Sequence, residues 1–201
     1  MPGKRSEEIL EFWFGEEGGS GSPSSERTRL WFGGEPETDR MIRGRFGIDL
    51  KRARRGDYDH WRETSRGALA LILILDQFAR NIHRGSSLAY AADDKCQRLC
   101  LVGMELGQDR PLTILERAFF YLPLEHAEDR ELQRLSVQAF TNLLEQAPAA
   151  LEKTCRGFLD YAVRHREIID RFGRFPHRNV ALGRPSTSEE VAFLREPNSS
   201  F

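Results

Sequence analysis

Residues 66–84 read RGALALILILDQFARNIHR, and this stretch decides the fold. Its centre, Ala68 to Leu75, is eight apolar residues without a polar interruption. Periodicity alone fits such a run to a buried strand or to a buried helix. Its alanine and leucine content, and its unbroken continuation to Gly85, select helix. A helix apolar on every side belongs at the centre of a fold. The run is far shorter than the roughly 20 residues of a membrane span.

Working outward, the flanking segments repeat a helical period. Ile42, Phe46, Leu50 and Ala53 follow the start signal of Pro36. Leu88, Ala92, Cys96, Leu99, Gly103 and Leu106 keep three/four spacing from Ser87 to Gly107. Thr113 and Glu116 form a capping box before ERAFFYL, and Pro123 is expected to kink or end that helix. Leu132, Leu135, Ala139, Phe140 and Leu143 mark another helix, stopped at Pro148. The clearest period is Leu151, Cys155, Phe158, Ala162, His165, Ile169 and Phe172, closed by Gly173.

The ends of the chain hold shorter pieces. Ser6 is expected to cap SEEILEFWFG, which stops at Gly15. A flexible Gly/Ser loop follows at about 15–25, then a short helix bearing Trp31 and Phe32. Ser186 with Glu189, or Thr187 with Glu190, caps a last helix, SEEVAFL. No segment alternates as a half-buried strand does. The expected fold is therefore all-α, a single domain over 1–201 built of about eight or nine helices, antiparallel where the connections are short.

Composition sets the class of partner. Thirty basic and 31 acidic side chains in 201 residues give a net charge of −1. Such balance argues against nucleic acid and against a charged membrane surface. Residues 40–66 hold nine bases to four acids, read as a solvated face. Three cysteines without a CxxC pair point to a reducing compartment, hence the cytoplasm. Glu7, Glu8 and Glu11 break the N-terminal apolar stretch, so no signal-peptide core is expected there.

Three polar islands stand beside long apolar runs. The first is Asp76, Gln77, Arg80, Asn81, His83 and Arg84; Asp76 and Arg80, like Gln77 and Asn81, are four residues apart and share a helix face. The second is Glu125, His126, Glu128 and Asp129, within a stretch 116–131 that has five acids against two bases. The third is Arg164 to Asn179, within a stretch 164–184 that has six arginines against two acids; it includes His165, Arg174, His177, Arg178 and Asn179. His165 lies on an apolar stripe and is expected to be buried and hydrogen-bonded. His177 follows Pro176 in a loop, where a binding residue is well presented. Opposite net charge predicts that the islands meet, with Glu125 or Asp129 facing Arg174 or Arg178. No nucleotide-binding, metal-binding or nucleophile motif is present, so no metal or cofactor is expected. Cys96 and Cys100, four apart, are read as core residues.

EILEFWFG, RGALALILILDQFARN, FFYLPLEHAED, HREIIDRFGRFPHRN and SEEVAFLREPNSSF together resemble the domain-of-unknown-function family 924, in which bacterial members dominate. The resemblance implies an all-helical, tetratricopeptide-like fold of antiparallel helix pairs, a helical bundle or short solenoid. The family has no established activity to carry over. Ala79 stands where the first motif usually has proline, and Ala127 where the second has serine. The family motifs coincide with the three polar islands. The expected function is a helical-repeat binding module whose mixed-charge pocket takes a peptide, a protein or a small anionic ligand. The alternative is a hydrolase-type enzyme for an anionic small molecule, with Glu and His as acid–base groups.

Overall fold

A computed structural model describes residues 3–15, 21–197 and 199. Its long elements are α1 (Lys4–Phe14), α2 (Ser25–Phe32), α3 (Pro36–Arg55), α4 (Ser65–Leu73), α5 (Ala79–Ile82), α6 (Asp93–Glu105), α7 (Ile114–Glu125), α8 (Arg130–Glu145), α9 (Glu152–Phe172) and α10 (Ser188–Phe193). There is no strand among the described residues. Residues 16–20 of the expected Gly/Ser loop lie outside them.

The 66–84 stretch is the central helix that its composition demands. Gly67 through Ala79 are all buried, with α1, α3, α6 and α7 packed around them. Each buried Leu or Ile there contributes roughly 1.5–3 kcal/mol. The helix starts tightly: Thr64 Oγ1 accepts from the Gly67 amide at 3.1 Å. A Cβ on Gly67 would sit 2.3 Å from the Trp61 carbonyl oxygen, so any side chain there must displace backbone. The helix does not run regularly to Gly85. Between α4 and α5, Ile74–Phe78 form a single π turn. A π turn holds an extra residue per turn and rotates the side chains that follow it relative to a straight helix; such turns concentrate at functional sites. This one carries Asp76 and Gln77.

Three sequence expectations are corrected. Gly3, not Ser6, caps α1; Ser6 is inside the helix, buried, and its hydroxyl donates back to the Gly3 carbonyl at 2.7 Å. Pro123 neither breaks nor ends α7, which runs on to Glu125. The segment from Ser87 is a 3-10 turn, Ser87–Ala89, and α6 begins only at Asp93.

The caps at Thr113/Glu116 and Thr187/Glu190 are complete boxes. Gly173 closes α9 at φ 68°, a left-handed conformation that glycine takes without strain. α7 packs on α8 and α8 on α9, the helix pairs that short connections dictate. Phe140 and Phe158 stack between them with ring centroids 5.8 Å apart. No helix among the described residues is long and apolar enough to cross a membrane.

Candidate functional site

Asp76 is the centre of the first two islands. It is 1% exposed, and three side chains converge on it. His126 Nδ1 lies 2.8 Å from Asp76 Oδ1, Arg80 NH2 3.0 Å from the same oxygen, and Gln77 Nε2 donates to Oδ2 at 2.6 Å. Burial alone would raise the Asp76 pKa; Arg80 and His126 outweigh it and hold the carboxyl well below the usual range. An ionised carboxylate only accepts, so His126 Nδ1 carries the proton and Nε2 keeps the lone pair.

The third island enters through Asp93, at the start of α6. Arg80 NH2 and Arg178 NH1 both reach Asp93 Oδ2, at 3.2 and 3.3 Å. The two guanidiniums also cover the Tyr90 ring, 5.4 and 4.7 Å from its centroid, and Arg178 lies 4.4 Å from the Phe175 centroid. Arg178 is buried, and its Nε has no hydrogen-bond partner among the described residues. Burial first, and the neighbouring Arg80 second, lower its pKa to about 10. Arg80 moves the other way: burial would lower it, but Asp76 and Asp93 hold its proton more firmly than usual.

Glu125 and His165 adjoin this cluster through the His126 ring. Glu125 is 4% exposed, and its Oε1 is 3.4 Å from His165 Nδ1, which in turn faces the Tyr161 carbonyl oxygen at 2.9 Å. Glu125 Oε2 has no hydrogen-bond partner among the described residues. Burial, reinforced by the Asp76 charge, pushes the Glu125 carboxyl up to about 8, so it is neutral at pH 7. Burial, then His126, takes His165 well below the ordinary histidine value. The His165 ring is 6.2 Å from His126 and 5.3 Å from Phe175, and Phe175 is 5.7 Å from His177. His177 is brought to about 4 by burial and by Arg178 and Arg80. His126 is lowered by burial and Arg80 and raised in part by Asp76.

Asp76, Gln77, Arg80, Glu125, His126, His165, His177 and Arg178 thus form one cluster, and His165 is buried and hydrogen-bonded as its place on the stripe demands. The structure places the remaining candidates elsewhere. Asn81 donates to Asp39 at 2.9 Å, on α3. Asp129 caps α8 by accepting from the Leu132 amide. Arg174 pairs with Glu190 at 2.6 Å. Asn179 donates to Ser186 and Glu190 and accepts from Arg184. The expected pairing of Glu125 or Asp129 with Arg174 or Arg178 is therefore corrected. α7 continues through Pro123, which sends Glu125 inward to His165 and leaves Asp129 to the α8 terminus. Glu128 ties this turn to the third island, taking Arg184 NH1 at 2.6 Å and the Phe175 amide at 2.8 Å.

Asp93, Tyr90 and Phe175 complete the cluster and were not among the sequence candidates. Asp93 and Asp94 read as helix-start acids, and nothing local links Asp93 to an arginine 85 positions away. The cluster meets solvent through the Arg80, His126 and Asp93 side chains, 20%, 14% and 12% exposed. A separate cleft of about 330 Å³ lies between α9 and α10, lined by Ile168, Arg171, Phe172 and Phe193 among others. Cys96, Cys100 and Cys155 are unpaired and buried. Among the described residues, no three His, Cys, Asp or Glu side chains are grouped to hold a metal ion.

The chain is all-helical, and its π turn sets the buried Asp76 against His126 of α7 and Arg80 of α5. The chain belongs to the family described as "Bacterial protein of unknown function (DUF924)", whose model matches residues 9–198. It is similar to the solved structure of the protein of unknown function ATU0120 from Agrobacterium tumefaciens, with 33% identity and a TM-score of 0.80 over 95% of this chain and 97% of that one. Comparison with curated proteins gives no match.

Proposed function

We propose that the cluster is a binding site for a small anionic molecule, in a protein that works in the cytoplasm. The observation that carries this reading is the pair Arg80 and Arg178. Both lean on one Asp93 oxygen, and Arg178 keeps an inward Nε donor without a protein acceptor. A buried donor left unmade costs about 1–3 kcal/mol, which an incoming oxyanion would recover. We take the ligand to be a small anion and not a peptide or protein because the cluster reaches solvent only through the partly covered Arg80, His126 and Asp93 side chains, whereas a peptide would need an extended groove. The helix pairs serve as the scaffold, in keeping with a tetratricopeptide-like fold.

A second reading is favoured by one further contact. Asp76 orients His126 as a catalytic carboxylate orients its histidine, beside a Glu125 held neutral, so the site has both a base and an acid. That suits a hydrolase acting on an anionic small molecule. A thermal-shift screen against carboxylates, phosphorylated metabolites and peptides tests the proposal. Stabilisation by small anions that survives Arg174→Gln and is lost in Arg178→Gln supports it. Stabilisation by peptides alone, or equal loss in both variants, rejects it.

A further inference from the structure

The charges in the cluster already balance before any ligand arrives. Asp76 and Asp93 face Arg80 and Arg178, two negative against two positive, all packed within hydrogen-bond reach of one another in a chain of contacts. A fifth charge brought into this space has no free counter-charge, and an uncompensated buried charge is costly. An anion can still bind if a positive charge is created with it. Three imidazoles stand close enough to accept a proton, and they are not equivalent.

His177, expected in a loop, lies in the 3-10 turn Pro176–Arg178, where burial and the fields of Arg178 and Arg80 oppose its protonation more than Glu128 favours it. His165, on α9, turns Nδ1 to the Tyr161 carbonyl oxygen and lies beside Glu125, which is neutral at pH 7 and supplies no charge. His126, at the end of α7, is held at Nδ1 by the ionised Asp76 of the π turn at 2.8 Å. With Nδ1 donating to Asp76, Nε2 is the nitrogen left to take a proton, and the side chain is 14% exposed. What keeps His126 neutral is desolvation together with the positive field of Arg80, and to a lesser degree of Arg178. An anion bound to those guanidiniums cancels that field while the Asp76 contact remains.

We propose that the site takes up a small oxyanion together with one proton, and that the proton resides on His126 Nε2. The inference rests on the anion-site reading above. It makes the ligand equivalent to a neutral acid on entry: the anion settles on Arg80 and Arg178, the proton on His126, and the cluster stays uncharged overall. A carboxylate and a tetrahedral oxyanion share this chemistry, and the probes below distinguish them.

The test uses the full chain with two monoanions that do not titrate near neutral pH, acetate (planar) and methanesulfonate (tetrahedral). Binding is followed by the Arg Nε–H and imidazole nitrogen signals in NMR spectra of ¹⁵N-labelled protein, and proton uptake by pH-stat at pH 7.5. The expected result is binding of at least one probe, close to one proton taken up per anion bound, and an imidazole shift assigned to protonation of His126 Nε2. Linkage then requires affinity to fall about tenfold per pH unit on the alkaline side. His126→Gln abolishes the uptake and flattens this dependence, whereas His177→Gln retains both. Should His126→Gln fail to fold, the His126 nitrogen shift in the unmodified chain decides alone. Binding without proton uptake, or uptake assigned to another histidine, overturns this inference and leaves the anion site standing. Absence of any perturbation at Arg178 by either probe rejects the anion site itself, and this inference with it.

Discussion

Glu125→Gln should make the protein more stable at alkaline pH and leave it nearly unchanged at acidic pH. The neutral glutamine has the size and donor capacity of the protonated carboxyl, so below the ordinary glutamate pKa the two chains present the same group to His165. Above it they diverge. The folded-state pKa is pushed up to about 8, first by burial and then by Asp76, from 4.5. In this window the folded chain binds the proton more tightly than the unfolded one does. The stabilising contribution of Glu125 is fully present below about pH 4.5 and is lost as pH rises to about 8. Each pH unit is worth 1.36 kcal/mol, so the loss is on the order of 3–5 kcal/mol. For a chain of this size, 1 kcal/mol moves Tm by roughly 2–4 °C, giving a difference of about 10 °C at pH 8.5. Paired thermal melts of the two proteins from pH 5 to 9 measure it, because titrating groups remote from Glu125 cancel in the difference. A Tm difference that does not change with pH would refute the claim that Glu125 is buried as an acid. So would a variant that loses ground as pH rises.

Asp76→Asn removes the charge that holds both Arg80 and His126, leaving Arg80 only Asp93 as a counter-charge. We expect a loss of about 3–5 kcal/mol in urea unfolding, as when one partner of a buried pair is deleted. A loss under 1 kcal/mol would mean that the cluster is more solvated than its burial shows. Gly67→Ala should cost at least ~2 kcal/mol, because the new Cβ meets the Trp61 carbonyl oxygen at 2.3 Å and must displace backbone; denaturant titration checks this. Asp129→Ala should cost only the cap of α8, about 1 kcal/mol, and leave anion binding unchanged, which separates the helix-start role from the site.

Much of the fold is legible because its periods are long and its stops are chemical. The α9 stripe from Leu151 to Phe172, the Thr113/Glu116 box and the Gly173 stop each follow from a local rule, and each is found. The apolar run of α4 reads as central for the same reason: no face of it is polar. The π turn is different. Nothing between Ile74 and Phe78 breaks a helix, so no local rule announces the extra residue; the turn packs against α3 and α6. Pro123 misleads because proline costs a helix most in its interior. Here it lies inside α7, two residues before its end, where it forfeits the bond its amide would make to the Phe119 carbonyl, and the helix nonetheless runs on to Glu125.

The site was half legible. Polar side chains embedded beside apolar runs identified Asp76, Arg80, Glu125, His126, His165 and Arg178. Their partners could not be assigned from charge alone, since a net count over 116–131 or 164–184 does not say which acid meets which arginine. Asp129 and Arg174 carry charge of the right sign and spend it on a helix cap and on Glu190. Asp93, the acid that joins the islands, lies outside all three, and only the folded chain brings it to Arg178.

The most direct test of the anion site is a crystal structure of the protein soaked in sulfate. The account predicts ordered tetrahedral density against Arg178 Nε and the Arg80 guanidinium, with the His126 ring alongside and Asp76 and Asp93 still in place. Density confined to the arginines of the α9–α10 cleft, with none at Arg80 and Arg178, would contradict it.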